Sequence, residues 1–290
     1  MAGIEQHTVS ANGVDFTTLS MGEGPLALCL HGFPDTAHGW RHLLPVLAEA
    51  GYRAVAPFQR GYAPTSVPDD GLFQSGVLGV DANALHEALG ADGDAVIIGH
   101  DWGASGTHAA AVLEPHRWRK VVTMAVPPGG AVGMAFIGNL EQLKRSWYMF
   151  FFQHPLSDLV VSNNDLAFID MLWRDWSPGY DGAADAANVK AALANPANLQ
   201  AALGYYRATI GAGKKDPALD AAQAATGQVP PQPTLYLHGR NDGCIGVEVA
   251  ELAATMAPPN LTVEIVDDAG HFLHIERPDV VNRRIVDFLA

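Results

Sequence analysis

The sequence predicts an α/β fold in which a mostly parallel sheet has helices on both faces and an inserted helical segment. Short apolar runs alternate with helical patterns along the chain, and such alternation is typical of a parallel sheet. The alternation stops between about residues 127 and 230, where the sequence is helical and aromatic, and resumes at Thr234. We therefore expect a core made of residues 1–126 and 231–290. Residues 127–230, the cap segment, are expected to form a helical cap.

Seven runs of strand length are predicted in chain order. The first covers residues 14–21 and ends at the turn signal Gly-Glu-Gly-Pro of residues 22–25. The later runs are mainly apolar, as expected for strands that a parallel sheet buries on both faces. They cover residues 26–30, 53–56, 95–98, 121–125, 234–237 and 261–266.

Helical patterns separate these runs. In the core they are expected at residues 37–50, 80–89, 104–113, 246–256 and 279–289. In the cap segment, an aromatic run at 147–152 and an alanine-rich stretch at 183–202 indicate further helices.

Composition and charge exclude several classes of protein. The chain has 290 residues, of which 48% are apolar and 17% charged, so it is globular. A net charge of −14 without a Lys/Arg-rich stretch argues against nucleic acid as a partner. The two cysteines, Cys29 and Cys244, form no disulfide framework or metal-ligand spacing. Because we find no signal-peptide pattern and no apolar run of about 20 residues, we expect a cytoplasmic protein that does not enter membranes. Monomer and homodimer are both open.

The most informative motif is Gly-His-Asp-Trp-Gly at residues 99–103. A predicted strand precedes it and a predicted helix follows, which is the pattern of a nucleophile elbow. The glycines suit a sharp turn. The nucleophile position holds Asp101 where many such elbows hold serine. A carboxylate is a poor acyl acceptor, but it displaces a leaving group from an sp3 carbon and forms an ester.

Candidates for an acid and a base follow two later strands. Asp242 comes after the sixth predicted strand, at an edge of the sheet where ligands bind in this class of fold. His271 follows the last strand and is preferred as the base over His274. The aspartates at 267–268 rank below Asp242 because they immediately precede the histidine. The chain order is then nucleophile Asp101, acid and base, as in known triads.

A glycine- and proline-containing loop, His31-Gly32-Phe33-Pro34, follows the first buried strand. Elbow enzymes stabilise an oxyanion with one N–H from this loop and one from the residue after the nucleophile. Here those residues are Phe33 and Trp102. We expect His31 to hold the loop in place. No metal is expected, because His271 and His274 lack a third ligand at suitable spacing.

These motifs resemble the α/β-hydrolase superfamily and, within it, the epoxide hydrolases. The aspartate elbow is shared with haloalkane dehalogenases and does not separate the two groups. One departure is Pro57-Phe58-Gln59, where many relatives carry Pro-Asp-x. The resemblance covers nearly the whole chain and includes His31-Gly32-Phe33-Pro34, Arg60-Gly61-Tyr62, the elbow, Asp242, Gly270-His271-Phe272 and Glu276-Arg277-Pro278.

The family resemblance also implies two cap tyrosines. Opening an epoxide produces an alkoxide, which a phenol with a pKa near ~10 can hydrogen-bond and protonate. Tyr148 and Tyr206 match the family pattern, with Tyr205 as the rival of the second. The implied catalytic residues are Asp101, Asp242, His271, Tyr148 and Tyr206, and the implied substrate-binding residues are Phe33, Trp102, Tyr148 and Tyr206.

The resemblance implies hydrolysis of a small apolar epoxide to a vicinal diol, with water as the second substrate and no cofactor. Asp101 forms a covalent ester, and water activated by His271 hydrolyses it. Asp101→Asn is expected to abolish turnover, whereas His271→Gln still allows the ester to accumulate. Activity is expected to fall below the ordinary histidine pKa of ~6.5, since the base acts in its neutral form.

Two alternatives stay open. A haloalkane dehalogenase needs N–H donors for the halide, and Trp102 fits this need. Phe33 cannot donate through its side chain, so Trp173 or Trp176 would have to be the second donor. A non-catalytic binding protein of the same fold is the other alternative.

Overall fold

A computed structural model describes residues 3–290, and within them eight strands form one sheet. The order across the sheet is β1-β2-β4-β3-β5-β6-β7-β8, where β1 to β8 are numbered along the chain. Every pair from β4 across to β8 is parallel, whereas β1, β2 and β4 pair antiparallel. The predicted α/β fold with a mostly parallel sheet is confirmed. The strands are β1 (Glu5–Ala11), β2 (Val14–Met21), β3 (Leu26–Leu30), β4 (Arg53–Pro57), β5 (Val96–His100), β6 (Lys120–Met124), β7 (Thr234–Gly239) and β8 (Leu261–Val266).

The edge strand β1 is the one strand that the sequence analysis did not predict. Its residues are polar and mostly exposed, so its sequence shows no buried face. It forms because residues 12–13 turn the chain back and pair it antiparallel with β2. Pairing with a neighbour, which a local pattern does not report, decides this strand.

The helices lie in the order expected, with shifted ends. The pattern at 37–50 divides into a 3-10 helix, Ala37–His42, and α1. Helix α2 starts five residues before its predicted start at residue 80, because Gly76 and Gly79 weaken the local helix signal.

No helix among residues 3–290 is long and apolar enough to cross a bilayer. The α-helices are α1 (Leu43–Glu49), α2 (Ser75–Ala88), α3 (Trp102–Leu113), α4 (Ala131–Gly138), α5 (Leu140–Arg145), α6 (Trp147–Phe151), α7 (Leu156–Ser162), α8 (Ala167–Trp176), α9 (Ala183–Leu193), α10 (Pro196–Ile210), α11 (Asp220–Ala225), α12 (Val247–Thr255), α13 (Leu273–Glu276) and α14 (Pro278–Leu289).

The buried core lies on both faces of the sheet. Along β3, Ala27 and Cys29 join one apolar cluster, while Leu28 and Leu30 join a second cluster on the opposite face. This alternation follows the two-residue period of a strand. Both faces are therefore covered, which explains why the predicted strands are continuous apolar runs.

The chain between β6 and β7 forms the helices α4 to α11. The last of them, α11, packs against α2 and α3 of the first part of the chain. The division into a core of residues 1–126 and 231–290 and a cap segment of residues 127–230 stays a prediction.

A buried ion pair holds the loop that follows β4. The Arg60 guanidinium donates to both oxygens of Asp81 on α2, at 2.5 and 2.6 Å, and both side chains are fully buried. Asp70, which is 43% exposed, lies 3.6 Å from the same guanidinium. The Arg60 carbonyl accepts a hydrogen bond from the Tyr205 hydroxyl, so this loop also anchors α10.

Asp81→Ala is expected to lower the free energy of unfolding by about 3–5 kcal/mol, because it leaves the buried Arg60 charge without its main partner. Asp70→Ala removes the exposed partner of the same guanidinium and is expected to cost at most about 1 kcal/mol. Chemical denaturation of the two variants measures both effects. Equal losses of unfolding free energy in the two variants would contradict the conclusion that Asp81 is the main partner of Arg60.

Candidate active site

Asp101 occupies a sharp turn between β5 and α3. Its backbone has a φ of +52° and a ψ of −121°, a strained conformation for a residue with a side chain. The turn is tight because a Cβ at Gly99 would strike Gly103, and a Cβ at Gly103 would strike the carbonyl of Leu30. The strand, turn and helix predicted from residues 99–103 are therefore present.

The loop after β3 lies directly against this turn. The Phe33 N–H donates to Asp101 Oδ1 at 2.8 Å. A Cβ at Gly32 would touch the Asp101 carboxylate and lie 2.6 Å from the backbone nitrogen of Trp102. Both N–H groups predicted for the oxyanion hole, those of Phe33 and Trp102, therefore lie beside the Asp101 carboxylate.

The predicted base and acid meet Asp101 at the same edge of the sheet. His271 Nε2 lies 3.7 Å from Asp101 Oδ2, and His271 Nδ1 donates to Asp242 Oδ2 at 2.9 Å. The other Asp242 oxygen accepts hydrogen bonds from the Cys244 and Ile245 N–H groups, at 2.7 and 2.9 Å. All three triad side chains are buried. Because the carboxylate accepts from Nδ1, the nitrogen that faces Asp101 is Nε2.

The two carboxylates control the charge of His271. Burial alone lowers its pKa, but Asp242 and Asp101 outweigh this and raise the pKa to about 10. Burial likewise opposes ionisation of Asp101, yet His271 and the Phe33 N–H hold its pKa below the ordinary value. The charge on His271 makes its full contribution to the stability of the fold at pH values below the ordinary histidine pKa of ~6.5. This contribution is lost as the pH rises to about 10.

The rival candidates lie elsewhere. Asp267 and Asp268 are exposed, and Asp267 pairs with Arg240 at the surface. His274 is buried and packs against Trp40 in a tilted arrangement, with ring centroids 4.7 Å apart.

His31 Nε2 accepts a hydrogen bond from the Gln59 N–H at 2.9 Å, and the Gln59 side chain donates to the His31 carbonyl at 3.0 Å. Both residues are fully buried. These two contacts tie the loop after β3 to the loop after β4. Gln59 belongs to the tripeptide that departs from the family pattern, so here the departure joins two loops beside Asp101.

A cavity of about 350 Å³ opens onto Asp101. Its lining is mainly apolar, and within the described part of the chain Asp101 is its only charged residue. It has room for a small organic molecule, which would meet one carboxylate within apolar walls. The lining includes Val126, Val132, Phe136, Met149, Ile210 and Ile245, together with Trp102, Tyr148 and Tyr206.

Tyr148 and Tyr206 line this cavity, and their ring centroids are 5.6 Å apart. The Tyr206 hydroxyl has no hydrogen-bond partner among residues 3–290, and the Tyr148 hydroxyl lies 3.4 Å from the Cys244 sulfur. Burial, together with the charge of Asp101, raises the pKa of both phenols well above the ordinary value. Both therefore stay protonated at neutral pH. The rival Tyr205 instead donates to the Arg60 carbonyl.

The aromatic residues at the site have different positions. Trp102 lines the cavity, and its indole N–H has no partner in the described part of the chain. The Trp173 N–H donates to the Pro34 carbonyl at 2.9 Å, so it is already used. The Trp176 ring packs against His271 with centroids 5.0 Å apart.

Phe33, which is expected to bind substrate, is not among the residues that line the cavity, and its part in substrate binding stays a prediction. Its ring is fully buried and packs edge-on against Tyr206 and Phe152, at 5.3 and 5.8 Å. The backbone N–H of Phe33 faces Asp101, and its ring packs against the ring of Tyr206.

The sequence analysis missed Gln142 and Cys244, which both line the cavity. The buried Gln142 amide donates to the Ser146 hydroxyl and the Cys244 carbonyl, and it accepts from the Gly246 N–H. Gln142 therefore joins α5 to the loop that holds Asp242. Its partners lie up to 104 positions away in the chain, so no local pattern could have revealed the contact.

Two groups of buried side chains bring potential metal-ligand atoms within 4.8 Å of one another. One group is Asp242, Cys244 and His271, of which the acid and base already hydrogen-bond to each other. The other is Asp35, His100 and His274, which offers three ligand atoms where structural zinc sites use four.

Comparisons with known proteins identify the family to which this fold belongs. Residues 25–278 match the family model described as alpha/beta hydrolase fold. An epoxide hydrolase from Caballeronia sordidicola is 28% identical over 99% of this chain and 94% of its own. Epoxide hydrolase A from Mycobacterium tuberculosis is 27% identical over 100% of this chain and 98% of its own.

A crystal structure of an epoxide hydrolase from Bacillus megaterium, in complex with an inhibitor, superposes with a TM-score of 0.80. It is 26% identical and covers 98% of this chain and 99% of its own. The family match, the sheet order and the Asp101 turn agree with one another. This chain belongs to the α/β-hydrolase fold family.

Proposed function

We propose that this protein is an epoxide hydrolase that opens an apolar epoxide to a vicinal diol. The observation that carries the proposal is that Tyr148 and Tyr206 line the same cavity as Asp101, with phenol groups that stay protonated. An epoxide leaving group is an oxygen atom that remains attached to the substrate, and it needs such donors. The names of the relatives that align over nearly the full chain support the same activity.

In the first step, one Asp101 carboxylate oxygen attacks a ring carbon. The bond from that carbon to the epoxide oxygen breaks, and its electron pair moves to the oxygen. The hydroxyls of Tyr148 and Tyr206 hydrogen-bond to this oxygen, and one of them gives it a proton. The product is a hydroxyalkyl ester of Asp101.

In the second step, water hydrolyses the ester. His271, oriented by Asp242, takes a proton from the water, and the hydroxide attacks the Asp101 carboxyl carbon. The Phe33 and Trp102 N–H groups stabilise the oxyanion. The bond between the Asp101 carboxyl carbon and the ester oxygen then breaks, and the departing diol oxygen takes its proton from His271. Asp101 now carries an oxygen from the water, and its carboxyl proton passes to His271, which restores the starting state of both groups.

The two steps need different charge states of His271. Before the reaction, Asp101 and Asp242 keep His271 protonated. Ester formation removes the negative charge of Asp101, so one of the two causes that raise the His271 pKa disappears. The pKa falls, and the proton that His271 gives up restores the tyrosine that protonated the epoxide oxygen. His271 is then neutral and available as a base for ester hydrolysis. The ordinary histidine pKa of ~6.5 therefore does not apply to His271 before the ester forms.

The cavity favours an uncharged substrate. Among residues 3–290, no cationic side chain lines it, so an anionic group on the substrate would lie near the Asp101 carboxylate with no cationic partner in the cavity wall. Most of the lining is apolar, and its volume is about 350 Å³. A small aryl or alkyl epoxide meets these conditions.

One observation favours dehalogenation as a second candidate. The unpartnered Trp102 indole N–H lies in the cavity and could hold a halide. However, Phe33 has no side-chain donor, and Trp173 already donates to Pro34. A third possibility is that the protein, as a monomer or a homodimer, binds a ligand without converting it. The same experiment detects this outcome.

Incubation with an aryl epoxide and, separately, a short bromoalkane tests the proposal. We expect diol from the epoxide and no bromide release, because the site offers two hydroxyl donors for an oxygen leaving group. Asp101→Asn is expected to abolish diol formation, since an amide is not a nucleophile. Bromide release without diol would support dehalogenation. Saturable binding without either product would overturn the enzymatic proposal.

Tyr206→Phe is expected to slow ester formation by about 10²-fold or more, because general acid assistance is lost. Tyr205→Phe is the matched control. It removes the neighbouring buried hydroxyl, which donates to Arg60 outside the cavity, so the rate of ester formation should stay within about twofold of the wild type. Rapid-quench measurement of the single-turnover rate compares them. Equal rates for the two variants would contradict the role of Tyr206.

The charge coupling predicts how the His271 pKa responds to Asp101. NMR titration of the His271 ring in the wild type is expected to give a midpoint near the value of about 10. Asp101→Asn removes the negative charge 3.7 Å away, as esterification does, and should lower that midpoint. An unchanged midpoint would mean that Asp101 does not control the charge of His271.

A further inference from the structure

Three consecutive backbone N–H groups around His271 are held by acceptors outside their own loop. Gly270 donates to Glu276 Oε2 at 2.8 Å, His271 to the Trp176 carbonyl at 3.0 Å, and Phe272 to the Ser177 hydroxyl at 3.2 Å. Trp176 and Ser177 belong to the cap segment. The backbone of the proposed base and of the residue after it is therefore held by the cap segment, whereas the residue before it is held by Glu276 of α13.

Ser177 joins two of these three contacts. Its hydroxyl accepts from the Phe272 N–H and donates to Glu276 Oε1 at 2.6 Å, while the other Glu276 oxygen holds Gly270. Ser177 is completely buried. The result is one hydrogen-bond chain, Phe272 to Ser177 to Glu276 to Gly270, with His271 between its ends.

The same cap residues also reach the acid loop. The Trp176 carbonyl accepts a second hydrogen bond, from the Gly243 N–H at 3.0 Å, next to Asp242. The contact is close, since a Cβ at Gly243 would strike the Asp175 carbonyl, and a Cβ at Gly270 would lie 2.6 Å from Ser177 Cα. Cap residues 175–177 are thus packed against both loops.

We propose that Ser177 is a positioning residue for the hydrolytic half of the reaction, an inference that rests on the proposed function. His271 takes part in ester hydrolysis, whereas ring opening needs Asp101 and the tyrosines. Small displacements of a catalytic group cost large factors in rate. Loosening the His271 backbone should therefore slow hydrolysis and leave ester formation nearly unchanged.

A purely structural role would give a different result. Ser177→Ala leaves the Phe272 N–H and a Glu276 oxygen without their partner, so it lowers stability in either case. The two roles are distinguished by the ratio of the rates of ester formation and ester hydrolysis, which a positioning role changes and a purely structural role does not. This ratio determines the fraction of enzyme that carries the ester during turnover.

The experiment mixes enzyme with an aryl epoxide and measures ester formation and decay by rapid quench and intact-protein mass. For Ser177→Ala we expect ester formation within about twofold of the wild type and hydrolysis at least tenfold slower, so that the ester accumulates. His271→Gln is the reference for a complete block of hydrolysis. Unchanged hydrolysis, or an equal loss in both steps, would overturn the proposal.

Ser157→Ala is the matched control. Ser157 is also a fully buried cap serine, and its hydroxyl donates to the His154 carbonyl and accepts from Arg207. Neither contact reaches the loops of His271 or Asp242. The control should lose stability while the ester fraction stays as in the wild type. An equal rise in that fraction would assign the Ser177 effect to general loosening of the cap.

Two further measurements complete the test. Because Ser177 and Glu276 act through one chain, Glu276→Gln and Ser177→Ala should slow hydrolysis less than additively in the double variant. Amide hydrogen exchange at Gly270, His271 and Phe272 should be faster in Ser177→Ala, and unchanged exchange would contradict the proposal without reference to substrate. If the wild type forms neither ester nor diol, the proposed function fails, and the exchange result alone decides whether Ser177 holds the loop.

Discussion

The strained turn at Asp101 is the constraint on which the rest of the site depends. A positive φ brings the carboxylate out between the end of β5 and the start of α3, where the loops that carry Phe33 and His271 reach it. The turn is held by close packing, because Gly103 lies against the carbonyl of Leu30 and Gly32 lies against the carboxylate itself. The Phe33 N–H can donate to Asp101 only because the two loops are in direct contact.

The electrostatics of the site follow from that position. One buried histidine lies between two buried carboxylates, so the protonation of His271 depends on whether Asp101 is charged. In the proposed reaction, alkylation of Asp101 removes that charge and frees the base for the next step. In this reaction, His271 therefore becomes available as a base only after the ester has formed.

The cap segment contributes more than a wall of the cavity. Tyr148 and Tyr206 line the cavity, while the Trp176 carbonyl and the Ser177 hydroxyl hold the backbone of the loops that carry the proposed base and the proposed acid. Gln142 forms a second connection to the acid loop. These cap residues therefore shape the cavity and also contact the loops that carry Asp242 and His271.

The sequence by itself determined the α/β class, the order of the strands along the chain and the candidates Asp101, Asp242 and His271. These follow from local patterns, since apolar runs, glycine-bounded turns and residues at strand ends all lie close together in the chain. Tertiary structure alone decided that the polar edge strand β1 forms, that Tyr206 and not Tyr205 faces the cavity, and that Ser177 contacts the His271 loop. Each of these depends on groups that are distant in the chain but adjacent in space, and a local pattern carries no record of such neighbours.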